Sequence, residues 1–280
     1  MSTSTSHVPL ITLRDEVQIP QLGFGVFQIP SEDTVEAVSR ALQTGYRHID
    51  TAAAYENEAE VGEAVRHSGL PREEVFVTTK CFNSDHGFDA ARRALENSLE
   101  RLGFDHVDLY LIHWPVPSQD KFVETWQAFI EAQKEGLVRS IGVSNFQPAH
   151  LQRLIDETGV TPSVNQVELH PQLQQPDLRR VHASLGIATE AWSPLAQGAV
   201  LDDPVITSIA EAHDRKPGQV VLRWHLQLGN IVIPKSVTPA RIRENFELFD
   251  FELSSPEMAE IEKLDRAERT GPDPDTFDGS

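Results

Sequence analysis

Residues 107–115 read VDLYLIHWP: a short, mostly apolar run that stops at a histidine, a tryptophan and a proline. Such a run suits a strand buried on both faces of a parallel sheet, with an ionisable residue delivered at its end. Working outward, the pattern recurs on both sides. IPQLGFG (19–25), YRHID (46–50) and VFVTTK (75–80) precede it, and VRSIGVS (138–144), SVNQVEL (163–169), IATEAW (187–192) and NIVIPK (230–235) follow. Longer amphipathic segments separate them. In GFDAARRALENSLERL (87–102), Phe88, Ala91, Leu95, Leu99 and Leu102 share one face at three-to-four spacing, with charges opposite. Ser31 with Thr34, Pro71 with Glu74, Pro148, and Pro217 with Gly218 mark helix ends. Eight such strand–helix units predict an α/β fold, a (β/α)8 or TIM barrel. VPLITL and EVQIP, flanking Arg14 and Asp15, predict a short N-terminal β-hairpin at the barrel floor.

Composition bounds the function classes. With 280 residues, 39% hydrophobic and 24% charged, residues 1–280 are read as a single barrel domain. Residues 271–280, rich in Asp and Pro, are read as an irregular C-terminal tail that folds over the mouth. A formal charge of −19 opposes nucleic acid and anionic lipid as partners. No apolar run reaches the roughly 20 residues needed to cross a bilayer. The opening MSTSTSHVPLITL lacks the basic and apolar regions of a targeting segment, so a cytoplasmic location is expected, with the protein a monomer. The single cysteine, Cys81, excludes an internal disulfide framework and a cysteine-based zinc site. The histidines, His48 and His170 among them, lack metal-ligand spacing and are read as structural or solvent-exposed, so no metal is expected.

In parallel barrels the loops after the strands converge on one mouth, and chemistry gathers there. YRHID ends in Asp50 and leads to Tyr55; VFVTTK ends in Lys80; VDLYLIH ends in His113. Singly, each has a plain explanation: a capping aspartate, a packing tyrosine, a solvent lysine, a core histidine. Together they do not, because ionisable groups at neighbouring strand ends face a partly buried cavity where an unpaired charge is costly. Tyrosine, with an ordinary pKa of about 10, is a poor proton donor at neutral pH. The Lys80 ammonium would stabilise the Tyr55 phenolate, Asp50 would hold that ammonium, and His113 would hydrogen-bond a substrate oxygen. That set suits reduction of a carbonyl.

Six strings in order, HIDTAAAYENEAEVG (48–62), VTTK (77–80), DLYLIHWP (108–115), IGVSNF (141–146), NQVELHP (165–171) and IPKSVTPARIREN (233–245), resemble those of the aldo-keto reductases across nearly the whole chain. Length and the motif GFGVFQIP resemble the microbial branch that includes 2,5-diketo-D-gluconate reductases. The resemblance implies Tyr55 as proton donor, Lys80 and Asp50 as the pair that tunes it, His113 as the substrate-orienting histidine, and direct hydride transfer without metal.

A dinucleotide site of the Rossmann kind is not supported, since GFGVFQ (23–28) lacks the last glycine. The expected cofactor is NADPH or NADP+, held by barrel loops. Lys235, Ser236 and Arg241 supply two cations and a hydroxyl beside a helix start near Pro239, a good anion site. The resemblance places the 2′-phosphate there, with Val237 alongside and Glu244 and Asn245 as adenine contacts; a plain surface pair of Arg241 with Glu244 remains the alternative. Asp50, Ser144, Asn145 and Gln166 match family positions around the nicotinamide, and Trp192 its stacking ring, although core packing would also explain that tryptophan. Ser193, Leu195, Gln197 and Gly198 lie in the matching SPLAQG string. Gly25, Val26 and Phe27 align with a cofactor wall, although a glycine serving only a turn would look the same. Phe27, Tyr55, Phe82, His113 and Trp114 are the expected substrate-pocket residues. The expected function is NADPH-dependent reduction of aldehydes, dicarbonyls or keto sugars; the alternative is a redox-sensing, cofactor-binding regulator on the same barrel.

Overall fold

The structure, a computed structural model, describes residues 8–279. The opening residues 1–7, on which the targeting reading partly rests, and Ser280 of the tail lie outside the described residues. Leu10–Thr12 (β1) and Gln18–Pro20 (β2) form an antiparallel hairpin. The barrel strands follow as Phe24–Gly25 (β3), His48–Asp50 (β4), Phe76–Cys81 (β5), Val107–Ile112 (β6), Val138–Ser144 (β7), Val164–Glu168 (β8), Ala188–Trp192 (β9) and Ile231–Val232 (β10). All eight are parallel and pair with their neighbours in chain order. The ring closes between its first and last strands: Gly23 N donates to Val232 O (2.8 Å) and Val232 N to Gln21 O (3.0 Å). Glycine is required at Gly25 by close approach rather than by a turn, because a Cβ there would stand 2.8 Å from the Ile233 carbonyl oxygen. The run 19–25 is thus divided, its first half completing the hairpin and its second half opening the barrel.

Between the strands lie Ser31–Thr44 (α1), Glu58–His67 (α2), Phe88–Leu102 (α3), Phe122–Lys134 (α4), Pro148–Thr158 (α5), Pro176–Leu185 (α6), Pro204–Ala212 (α7), Pro217–Gln227 (α8), Pro239–Glu244 (α9) and Ser255–Glu262 (α10). Proline stands at the first turn of several, where its missing N–H costs nothing. In α3, Ala91, Leu95, Leu99 and Leu102 are buried against the sheet as the spacing predicts, but Phe88 is 40% exposed. It is the first helical residue and lies short of the packed stretch.

Two apolar regions result. The larger fills the space between strands and helices. The smaller lies inside the barrel floor, where Leu13 and Ile19 of the hairpin meet Phe76, Leu109, Leu111, Val164 and Ile231. The hairpin therefore plugs the N-terminal end of the barrel, and the C-terminal end is left for a site. No described helix is long and apolar enough to cross a membrane.

Several histidines are locked in this interior. His48 and His170 are fully buried, which corrects the solvent-exposed option for both. Burial pulls His48, His86 and His182 down to about 4 and His225 to about 3. The native protein thus refuses protons that the unfolded chain accepts below about pH 6.5, so stability falls as pH drops from there towards 4. The unfolding free energy from urea titrations at falling pH should decline over that window by roughly 1.4 kcal/mol per pH unit for each such histidine, and the urea midpoint with it. A midpoint that stays flat to pH 4 would contradict the burial of neutral imidazoles.

Candidate active site

β4 ends in Asp50, and the chain then turns through Thr51 and a single helical turn, Ala53–Tyr55, that lifts Tyr55 to the mouth. Asn57 pins this turn: its Oδ1 accepts from Thr51 Oγ1 (2.8 Å) and its Nδ2 donates to the carbonyls of Val26 and Ile29. Lys80 projects from β5, and His113 follows β6 with its N–H donating to Cys81 O (3.1 Å). The four residues predicted to act together are brought together.

Lys80 is completely buried. Its three ammonium protons have three acceptors: Asp50 Oδ1 at 2.6 Å, Thr51 O at 2.9 Å and Tyr55 Oη at 3.4 Å. Burial disfavours its charge, but Asp50 and Tyr55 more than offset this, so Lys80 holds its proton above the ordinary lysine value. Burial also raises the Tyr55 hydroxyl above its ordinary value, against the opposing pull of Lys80. The lowering expected of Lys80 is present, but burial outweighs it. His113 stands edge-on to Tyr55 (ring centroids 5.7 Å) and falls to about 3 through burial and the charges of Lys80 and His86. It is therefore a neutral ring at physiological pH.

On the facing side, Asn145 takes a left-handed backbone (φ 64°) and links the loops. Its Oδ1 accepts from Trp192 Nε1 (2.8 Å), and its Nδ2 donates to His113 O (3.0 Å) and Ser144 Oγ (3.1 Å). Ser144 Oγ in turn donates to Gln166 O (2.7 Å). Trp192 is thus tied to the mouth rather than to the core, standing edge-on to Trp114 (6.3 Å). Phe27, 52% exposed, leans on Tyr55 (5.0 Å), and Phe82 on His113 (6.3 Å). All five expected pocket residues lie on one rim. Val26 is wholly buried, so of the first-loop trio only Phe27 presents a side chain to that rim.

The loops after β9 and β10 converge. A Cβ placed on Gly218 would sit 3.8 Å from Leu195 and 4.0 Å from Asn245. Ser193 and Gln197 adopt left-handed backbones there (φ 47° and 54°), with Gly198 also in the left-handed region. Lys235, Val237 and Arg241 are exposed and Ser236 is buried with its hydroxyl accepting from Thr238 N. Glu244 is half-buried at the end of α9. Among the described residues Lys235 and Arg241 make no ion pair, with Glu244 or any other acid. In a chain of net charge −19, two uncompensated cations beside a hydroxyl fit a phosphate group.

Two features of the site were not read from the sequence, the anchor of the tail and Glu190. The tail, expected over the mouth, places Phe277 on Trp114 (4.6 Å). It is anchored at Glu168, whose carboxylate accepts from Thr270 N and Oγ1 (both 2.6 Å), Gly271 N (3.1 Å) and His170 Nε2 (3.0 Å). Glu190 lies inside β9 against Gln166. The signal for Glu190 was present: a single acid within the strand IATEAW has no outward face to occupy in a sheet covered on both sides.

A (β/α)8 barrel that gathers a tyrosine, a buried lysine–aspartate pair and a neutral histidine at its strand ends defines a barrel oxidoreductase acting on carbonyl groups. The chain belongs to the aldo/keto reductase family, whose model matches residues 21–266. It is 61% identical over 269 residues to an aldo-keto reductase of Mycolicibacterium smegmatis, covering 96% of this chain and 98% of that one. It is 55% identical over 272 residues to the methylglyoxal reductase DkgA of Escherichia coli, covering 96% and 98%. Among solved structures, Gox0644, crystallised both without ligand and as a variant in complex with NADPH, superimposes with a TM-score of 0.94 at 48% identity, covering 97% of this chain and 99% of the other.

Proposed function

We propose that the protein reduces small aldehydes, dicarbonyls or keto sugars with NADPH, with Tyr55 as the proton donor. One observation carries this reading: Lys80, a donor only, points a proton at the Tyr55 oxygen. Tyr55 therefore accepts from Lys80, and its own O–H is left to donate towards the mouth. A developing alkoxide is far more basic than a phenolate, so a tyrosine that stays protonated across the neutral range can still give up its proton to one. The phenolate that remains is met by the Lys80 ammonium, and Asp50 keeps that ammonium in place. His113, as a neutral donor, fixes the substrate oxygen beside Tyr55.

When bound, NADPH supplies the hydride that adds to the carbonyl carbon. Lys235, Ser236 and Arg241 would hold its 2′-phosphate, with Val237, Glu244 and Asn245 beside them. Ser144, Asn145 and Gln166 would hold the carboxamide near Asp50, and the Trp192 ring would lie against the nicotinamide. Gly25, Val26 and Phe27, with Ser193, Leu195, Gln197 and Gly198, would wall the remaining length. The substrate class follows from the rim: Phe27, Phe82 and Trp114 offer aromatic walls with few fixed charges, and the tail narrows the opening through Phe277. The naming of a 55% identical relative as a methylglyoxal reductase supports dicarbonyls in particular.

Tyr55→Phe should lower kcat for a dicarbonyl by roughly a hundredfold to ten-thousandfold, with NADPH affinity, read by fluorescence titration, changed by less than about twofold. A variant as fast as wild type would contradict the assignment. Arg241→Ala should weaken NADPH by roughly tenfold, about 1.4 kcal/mol, and leave NADH nearly unchanged. Equal losses for both cofactors would contradict the 2′-phosphate site.

A further inference from the structure

Beneath the four mouth residues the barrel interior holds a second carboxyl. Glu190 is fully buried in β9 and is the register partner of Gln166 in β8. Gln166 Nε2 has two protons and spends both on carboxyls: Asp50 Oδ2 at 2.8 Å and Glu190 Oε2 at 3.0 Å. The hydrogen bonds therefore run without a break from Glu190 through Gln166, Asp50 and Lys80 to the Tyr55 oxygen.

Two acids share one amide nitrogen here, and the charges that face Glu190 decide which acid keeps a proton. From β4 come Asp50 and His48, from β5 Lys80, and from the turn after β4 Tyr55; the neighbour on β10 is Ile231, which brings no charge. Lys80 is committed to Asp50 Oδ1. His48 Nε2 stands 3.7 Å from Glu190 Oε1 but lies 3.0 Å from Thr78 Oγ1, and burial keeps the ring neutral. Among the described residues Glu190 Oε1 has no hydrogen-bond partner. A carboxylate oxygen in that position would be buried, charged and unsatisfied, which costs far more than a neutral acid there.

We propose that Glu190 is a positioning residue, a protonated carboxyl that ties Gln166 against Asp50 and whose ionisation would set a second negative charge behind Lys80 and Tyr55. The inference rests on Tyr55 as proton donor. Burial and the Asp50 charge push the Glu190 carboxyl up to about 8, within the range where an enzyme is assayed. Below that value the chain of hydrogen bonds carries one carboxylate and one ammonium. Above it an extra negative charge makes Tyr55 a weaker acid, and Asp50 and Glu190 repel across Gln166. Proton donation to a substrate then slows without stopping.

The test compares wild type with Glu190→Gln, which keeps the size and the acceptor but cannot ionise, and with Glu190→Ala, which removes the acceptor. Isotope-edited infrared spectra of the cofactor-free protein should show a protonated carboxyl band at neutral pH that fades as pH passes about 8 and is missing from Glu190→Gln. In the wild type, kcat for carbonyl reduction should fall by roughly two- to threefold across the same interval, as expected for a proton donor made modestly weaker. Glu190→Gln should keep the neutral-pH rate and lose that inflection, while Glu190→Ala should lower kcat by roughly tenfold, with Gln166 held by Asp50 alone. Absence of the band at neutral pH, or the same inflection in Glu190→Gln, overturns the proposal. A fully active Tyr55→Phe enzyme overturns the proton-donor reading instead, and the infrared band still decides the charge of Glu190.

Discussion

A lysine ammonium with no exposure to solvent is the constraint on which the rest of the site depends. Left alone, a buried cation would shed its proton or unfold its surroundings, because its solvation is lost and nothing replaces it. Here Asp50 on the adjoining strand supplies the countercharge at 2.6 Å, and Thr51 O and Tyr55 Oη take the remaining protons. Satisfying Lys80 therefore fixes three other groups: the end of β4, the backbone after it, and the tyrosine that the following turn carries to the mouth. The geometry at the mouth and electrostatic necessity are one arrangement.

The same constraint accounts for the acidities. Burial pushes Tyr55 up and His113 down, and Lys80 works against the first and with the second. The result is a protonated phenol and a neutral imidazole side by side over a wide pH range. That pair suits a reaction in which one group gives a proton and the other only orients. Beneath them, Gln166 divides its amide protons between Asp50 and Glu190, so the carboxylate that serves Lys80 is itself held from behind.

Much of this was legible in the sequence, and the reasons differ by element. Strands such as VFVTTK and VDLYLIH declare themselves because a doubly covered parallel strand is apolar on both faces, and the polar residue that ends each one stands out. Lys80 and His113 are visible for that reason. The run 19–25 misleads because two short strands, one in the hairpin and one in the barrel, are separated by only Gln21, Leu22 and Gly23. Phe88 misleads because periodicity places a residue on a face without saying where along the helix the packing begins. Contacts between distant segments leave no local mark at all. Nothing in TGPDPDTFDGS announces that Thr270 and Gly271 will meet Glu168, 102 and 103 residues away, or that Phe277 will cover Trp114. Glu190 lies between these cases: its burial was readable from its strand, but its partner was not.

The account stands on Asp50 and Lys80 acting as one unit, and a double-mutant cycle in urea tests that directly with Asp50→Asn, Lys80→Met and the combined variant. Either single change leaves a charge buried without its partner and should cost roughly 3–5 kcal/mol, whereas the combined change removes both charges and should cost well below the sum. Losses that simply add would show that the two side chains do not depend on each other, and would contradict the account.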